Sequence, residues 1–312
     1  MTETYLQKLL AKTGLPSRDL HELPSSKQAF PDGAHYRIEI SGIERANTFQ
    51  AMVQEAERRK VLVHRAIAAV GGSTLLDRGE LRAMAQIARD AHIEVILTPN
   101  QSRSWDTGRQ LVTPEGLVSG LRLRGADNLG YALGDILRGL EAGFRGFLVV
   151  DEGLLWVLAS LKKTGDIPPE TVLKVSVFAG HANPAGARVL ETLGATTFNP
   201  LSDLSLPMLA AIRQAVRIPM DVYVSLVDAM GGFCRFWEAA EIARVASPCY
   251  FKFEPGASEG SLYKPWVSES FHADFAREKI RHAEIVQELV GRLNPSLRTS
   301  LAGAADLVLP RP

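Results

Sequence analysis

Charged side chains interrupt several apolar segments that otherwise have the pattern of buried strands. The segment CYFKFE carries Lys252 and Glu254 among aromatic residues, and YRIEIS carries Glu39 between two isoleucines. A buried carboxyl group beside a cation has a shifted pKa and can exchange a proton with a substrate. We therefore predict acid–base catalysis by Glu39 or Glu254, with Lys252 tuning the pKa of the carboxyl group.

Three residues that follow predicted strands have side chains typical of metal ligands. Glu152 comes just after GFLVV, His181 just after VFAG, and Asp228 just after YVSLV. An imidazole with one or two carboxylates can hold a divalent metal that polarises a carbonyl group. No local spacing such as HExxH accompanies them, so the alternative is that His181 only begins a helix.

Polar and glycine residues of the connecting loops are candidates for holding a substrate. An arginine with an aromatic residue suits capture of a carboxylate, and glycines expose backbone amides that can bind an anion. The third strand is followed by a long connection, PNQSRSWDTGRQLVTPEGLVSGLRLRG, typical of a loop that covers a site. The candidates are Arg103, Trp105, Arg109, Asn183, Asn199, Gly232 and Gly256.

Short apolar segments alternate with amphipathic ones along most of the chain. Eight strand patterns, from YRIEIS to CYFKFE, are separated by helical patterns such as NPAGARVLETLG and FWEAAEIARVA. Parallel strands need such helical crossovers, and eight units in one chain favour a closed barrel. The predicted fold class is α/β, a (β/α)8 TIM-type barrel with an N-terminal extension, a long third βα loop and a C-terminal helix.

The predicted barrel divides the chain into three parts. Residues 1–34 form an N-terminal helix and linker that cover the bottom of the barrel, 35–294 form the barrel, and 295–312 form a C-terminal tail that is loosely ordered or packs on a partner. An open doubly wound sheet is the alternative fold, but no GxGxxG or GxxxxGK phosphate loop occurs. We therefore predict no nucleotide cofactor.

Strand alternation predicts which side chains face the barrel interior. In four strands one phase is polar and the other is apolar, and the apolar phase must pack on the helices. The polar phase then points inward and brings together three cations and three carboxylates. They are Arg37, Glu39, Lys174, Asp221, Lys252 and Glu254. Those near the strand starts, Arg37, Lys174 and Asp221, are predicted to form a structural ion-pair layer below the site.

Composition narrows the choice of partner and compartment. The formal net charge of +0 over 312 residues gives no reason to expect nucleic acid or an anionic membrane as a partner. The N-terminal segment lacks the apolar core of a signal peptide, so a cytoplasmic location is predicted. A small-molecule substrate is expected, and the helix FWEAAEIARVA could equally serve a homo-oligomer interface.

One long part of the chain carries a resemblance to a known family. It runs through KVSVFAGHANPAGARVLETLGATTFNPLSDLSLPMLAAIRQAVRIPMDVYV and continues through GGFCRFWEAAEIARVASPCYFKFEPG. This part resembles the collagenase-like peptidases of family U-thirty-two. The resemblance implies a barrel-like fold and, by the family name, peptidase activity. Relatives of these proteins carry a four-cysteine iron–sulfur site. This chain has only Cys234 and Cys249, so no iron–sulfur cluster is expected.

The function predicted from the residues is acid–base chemistry, of the lyase or isomerase type, on a small polar or anionic metabolite, assisted by a divalent metal. Three alternatives stay open. A peptidase would use a metal-bound water or Ser258 of the GASEG segment. Lys252 could instead form a Schiff base with a carbonyl substrate. A barrel that binds a metabolite without turning it over is the third.

Overall fold

The computed structural model describes residues 3–99, 122–258 and 262–312. Eight parallel strands close into a barrel in sequence order, β1 to β8, so the predicted TIM-type fold is confirmed. The strands are β1 (Tyr36–Ile43), β2 (Arg65–Ala68), β3 (Glu94–Leu97), β4 (Gly146–Val149), β5 (Val172–Val175), β6 (Thr197–Phe198), β7 (Met220–Ser225) and β8 (Cys249–Phe253).

Helices cover the outside of the barrel. They are α1 (Glu3–Ala11), α2 (Ala46–Arg59), α3 (Arg78–Asp90), α4 (Gly125–Glu141), α5 (Glu152–Thr164), α6 (Pro184–Leu193), α7 (Leu206–Ala215), α8 (Ala239–Ala246) and α9 (Glu269–Leu293). The predicted C-terminal helix is α9, which packs between α2 and α8 and closes the ring next to β1. Across the described ranges every helix is too short or too polar to cross a lipid bilayer.

Local sequence explains where several helices begin and end. The side chains of Asp77, Asp151 and Asn183 accept hydrogen bonds from backbone amides of the first turns of α3, α5 and α6. These amides have no partner within the helix, so a capping side chain stabilises each start. Gly165 and Gly194 end α5 and α6 in the left-handed conformation, which glycine adopts without steric cost.

The C-terminal tail packs on the N-terminal end of the barrel. The Arg37 guanidinium donates to both carboxylate oxygens of Asp306, at 2.6 and 3.0 Å, and through Nε to the Ser300 hydroxyl at 2.8 Å. The His64 ring contacts the Ser300 carbonyl at 2.9 Å. Arg37 therefore belongs to a plug that the tail forms at this end of the barrel, and whether the tail also contacts a partner stays a prediction. Phe30 of the N-terminal linker adds its ring 3.9 Å below the same guanidinium.

Candidate functional site

The barrel interior holds both an apolar cluster and a network of charges. Ile67, Ile96, Leu148 and Val172 pack together between β2 and β5. Among the predicted inward-facing charges, Lys174 contacts Glu39 and Asp221 across the interior. Lys252 contacts Glu254 at the end of β8. A TIM barrel is usually filled by branched apolar residues, so the charged network is unusual for this fold.

Four charged residues form an ion-pair layer: Glu39, Arg65, Lys174 and Asp221. The Lys174 Nζ lies 3.1 Å from Glu39 Oε1 and also contacts the Asp221 carboxylate. Arg65 Nη1 lies 3.1 Å from Asp221 and 3.3 Å from Glu39. Each carboxylate therefore contacts two cations, as a buried charge requires.

The pKa values of the two carboxyl groups of this layer are shifted in opposite directions. Burial alone would raise the pKa of Glu39, but the charges of Lys174 and Arg65 hold it below its usual range. Burial, reinforced by the charge of Glu39, raises the pKa of Asp221. The layer is a network of paired charges below the barrel mouth. The negative charge of Glu39 also raises the pKa of Lys252.

Five buried residues form what we call the mouth cluster: Lys252, Glu254, Tyr263, Lys279 and Glu44. Lys252 lies in β8, Glu254 directly follows β8, and Glu44 directly follows β1, so the cluster lies at the C-terminal ends of the strands. Tyr263 comes from the segment after β8, and Lys279 reaches in from α9. The C-terminal end is where barrel enzymes place their chemistry.

Lys252 and Glu254 are the centre of the mouth cluster. Lys252 Nζ lies 3.2 Å from Glu254 Oε2 and 4.5 Å from the centre of the Tyr223 ring. Tyr263 donates its hydroxyl proton to Glu254 Oε1 at 2.5 Å. Burial alone would lower the pKa of Lys252, but Glu254 and Tyr223 raise it well above its usual range. Burial would raise the pKa of Glu254, but Lys252 and Tyr263 lower it. The pair is therefore ionised.

Lys279 and Glu44 complete the mouth cluster with groups that titrate near neutral pH. Burial lowers the pKa of Lys279 to about 8 and raises the pKa of Glu44 to about 7. Lys279 donates to the Ser41 carbonyl. The Glu44 carboxylate accepts hydrogen bonds from the amides of Val70 at 3.0 Å and Gly71 at 3.2 Å. Perturbed groups of this kind are candidates for proton transfer.

Several buried polar atoms of strand ends have no hydrogen-bond partner among the described residues. They include Asn199 Oδ1 and Ser225 Oγ. The Asn199 amide nitrogen donates to the Asp221 carbonyl at 2.6 Å, which leaves the amide oxygen as the unused acceptor. Buried polar atoms without a partner are costly, so a bound polar molecule would stabilise them.

The predicted metal ligands lie in two places. His181 Nε2 lies 2.9 Å from Glu152 Oε1, and Arg122 also binds the Glu152 carboxylate. Asp228 lies in the turn after β7, which is not adjacent to β4 or β5. Over the described ranges, no three His, Cys, Asp or Glu side chains converge into a set that could hold a metal ion. These residues do not fit a divalent metal, and the metal stays a prediction that needs a further donor.

The remaining predicted substrate residues have different surroundings. The Gly231 and Gly232 amides donate to the carbonyls of Asp228 and Val227, so both are used within the turn, and the Gly256 carbonyl accepts from Asp228. Asn183 caps α6, its side chain accepting from the Gly186 amide at 2.9 Å. The predicted loop residues Arg103, Trp105 and Arg109 lie outside the described residues.

The two histidines downstream of Ser258 make other contacts. His272 Nε2 contacts the Leu262 carbonyl at 2.8 Å, and His282 Nε2 lies 3.5 Å from the Glu278 carboxylate. A serine nucleophile needs a histidine that accepts its proton. The Ser258 alternative stays a prediction.

Several residues of the interior were missed in the sequence analysis. Arg65 and Glu94 meet at 2.6 Å inside the barrel, yet each is a lone charge in an apolar strand segment. Lys279 lies on the buried stripe of α9 with Ala276, Ile280 and Ala283. A lysine at an apolar position of an amphipathic helix was the available signal.

No known protein family and no curated protein matched this sequence. Solved structures share the fold. A putative fructose-1,6-biphosphate aldolase from Coccidioides immitis aligns over 84% of this chain and 93% of its own, with 11% identity and a TM-score of 0.52. The YdjI aldolase from Escherichia coli K12 aligns over 83% and 90%, with 15% identity and a TM-score of 0.46. The U32 peptidase Mk0906 aligns over 75% and 97%, with 16% identity and a TM-score of 0.40. At these identities the similarity shows the TIM-barrel fold alone.

Proposed function

We propose that this barrel is an enzyme that moves a proton to or from a carbon atom of a small polar or anionic metabolite, in a reaction of the lyase or isomerase type. The observation that carries the proposal is the buried Lys252–Glu254–Tyr263 group at the C-terminal ends of the strands. Apolar residues fill this position in most barrels and would cost less to bury. A charged group there is better explained by chemistry than by stability.

Glu254 is the proton-transfer group in this proposal. The positive charge of Lys252 and the Tyr263 hydroxyl lower its pKa, so the group is deprotonated and available as a base. Its Oε2 atom lies 3.2 Å from the Lys252 ammonium. A positioned general base typically accelerates a reaction by about 10²–10⁴-fold.

Lys252 has the complementary role. Removing a proton next to a carbonyl group leaves negative charge on the carbonyl oxygen. Because the pKa of Lys252 is raised, its ammonium keeps its charge and can stabilise that oxygen. Asn199 Oδ1 and Ser225 Oγ, which are buried and without partners in the described residues, can bind hydroxyl groups of the substrate. A hydroxylated carbonyl compound fits this set of groups.

The test is exchange of carbon-bound hydrogen with solvent. Keto acids, hydroxy acids and ketoses are incubated with the protein in D₂O, and deuterium uptake is followed by NMR. A proton-transfer enzyme exchanges the hydrogen of its substrate even when the complete reaction needs a second reactant. We expect uptake with the wild type and with Glu288→Gln, whose side chain is 65% exposed on α9. Unchanged uptake with Glu254→Gln or Tyr263→Phe contradicts these roles.

A further inference from the structure

Lys279 is an amine in a setting unlike that of Lys252. Its side chain is buried, and its ammonium crosses from α9 to the Ser41 carbonyl near the end of β1. The Nζ atom lies 4.8 Å from the centre of the Phe275 ring and 5.9 Å from that of Tyr263. Among the described residues, Glu254 and Glu44 act on it through their charges and not through an ion-pair contact. An aromatic, poorly solvated environment of this kind favours the neutral amine.

The two lysines of the mouth cluster are therefore suited to different tasks. Lys252 keeps its proton because Glu254 and Tyr223 stabilise the cation. For Lys279, burial dominates, the charges of Glu254 and Glu44 offset it only in part, and the positive charge of Lys252 acts in the same direction as burial. The pKa of Lys279 is thereby lowered to about 8. Desolvation and a neighbouring cation are the two ways in which proteins activate an amine as a nucleophile.

The close packing of β1 against this amine is built into the backbone. Gly42 has a φ of +76°, and a Cβ atom there would lie 2.7 Å from Lys279 Nζ and 2.5 Å from the Tyr263 ring. Only glycine leaves room for both side chains next to the strand. Gly42, Tyr263 and Lys279 thus converge at one point of the mouth cluster.

We propose that Lys279, rather than Lys252, is the nucleophilic amine of this site and forms a Schiff base with the carbonyl group of a small substrate such as a keto acid or a ketose. The inference rests on the proposed function, which it deepens by naming the substrate class. Lys252 then serves as the fixed cation of the site and takes no part in covalent chemistry.

The covalent step balances with groups of the mouth cluster. The nitrogen lone pair of neutral Lys279 attacks the carbonyl carbon, and one proton of the attacking nitrogen moves to the former carbonyl oxygen to give a neutral carbinolamine. Protonated Glu44, whose pKa of about 7 leaves it partly protonated at neutral pH, donates a proton as water leaves and the C=N bond forms. Glu254 then removes a proton from the neighbouring carbon. Hydrolysis by the same water molecule reverses the sequence, and no oxidant or reductant is required.

The test is reductive trapping on the full chain. The protein is treated with pyruvate, glyoxylate or dihydroxyacetone and sodium cyanoborohydride, and modified lysines are located by peptide mass spectrometry. We expect a saturable adduct on Lys279 whose formation rises with pH around the pKa of about 8. The adduct should be absent from Lys279→Arg and retained in Lys252→Arg. Exposed Lys163 on α5 reports non-saturable background labelling.

The outcomes separate this inference from the proposed function. An adduct on Lys252, or labelling confined to exposed lysines, overturns the assignment of Lys279. If Lys279→Arg keeps the deuterium exchange that Glu254→Gln loses, proton transfer stands and the Schiff base fails. A saturable Lys279 adduct without exchange in any metabolite leaves the amine assignment in place and overturns the proton-transfer role. The melting temperature of Lys279→Arg shows whether that variant is folded.

Discussion

Replacing Lys174 by methionine should destabilise the folded barrel by about 3–5 kcal/mol. Methionine has a similar length, so the main change is the loss of one of the two cations that contact Glu39 and Asp221. Among the described residues, Arg65 is then the one cation that contacts both carboxylates, at 3.3 and 3.1 Å, in a position without access to water. The Thr197 hydroxyl still donates to Asp221 at 2.7 Å, but it carries no charge. Removing one partner of a buried ion pair is costly because the other charge stays behind.

The predicted loss of stability corresponds to a lower melting temperature. Unfolding entropies are about 2.1 cal/mol/K per residue, so for 312 residues the loss lowers Tm by about 5–8 °C. Urea unfolding and thermal melts followed by circular dichroism measure both quantities. The matched control is Lys163→Met, which removes an exposed lysine of α5 and should change stability by less than about 0.5 kcal/mol.

The pH dependence gives a sharper test of the same prediction. The pKa of Asp221 is already raised in the wild type. Without Lys174 it rises further, because the two carboxylates then share one contacting cation. A group whose folded pKa is raised adds stability at low pH and loses it as pH rises. The deficit of Lys174→Met should therefore be smaller at about pH 5 than at about pH 8. A deficit below about 1 kcal/mol, or one that is equal at both pH values, refutes the ion-pair layer.

Three further predictions concern the ends of the barrel. Asp306→Asn should cost about 2 kcal/mol, because the buried guanidinium of Arg37 loses a charged partner at 2.6 and 3.0 Å; an unchanged urea midpoint would contradict the plug. Gly42→Ala should cost about 2 kcal/mol more than Gly33→Ala, since both have positive φ but only Gly42 is crowded; equal losses would count against the close packing. Burial lowers the pKa of His64 to about 4, so stability should fall by roughly 3 kcal/mol as pH drops from about 6.5 to about 4. This fall of stability should be absent from His64→Gln. Parallel curves of stability against pH for the wild type and His64→Gln would contradict the role of His64.

The fold could be predicted because it depends on local patterns. Eight short apolar segments separated by helical ones leave few arrangements besides a parallel barrel, and the alternation in YRIEIS and MDVYVSL shows which residues face inward. The contact between Lys174 and Asp221 follows from two strands that both place their polar phase inside. These parts of the interior were accessible from periodicity alone.

The rest of the interior depends on closure of the barrel and on distant segments. Asp306 reaches Arg37 across 269 residues, and no pattern near either residue indicates the pair. Lys279 enters from a helix, where strand alternation says nothing about its direction. His181 and Glu152 do meet, because β4 and β5 are neighbours, whereas Asp228 follows β7. Sequence periodicity predicts the face on which a residue lies, while three-dimensional contacts decide its partner.

The measurement that tests the central claim most directly is the rate of deuterium exchange into carbon by wild type and by Glu254→Gln. The proposed role of Glu254 predicts that the glutamine variant exchanges about 10²–10⁴-fold more slowly at a temperature at which circular dichroism shows it folded. Its melting temperature should fall, because the buried ammonium of Lys252 loses its ion-pair partner. Equal exchange rates for the two proteins would contradict the claim that Glu254 is the proton-transfer group.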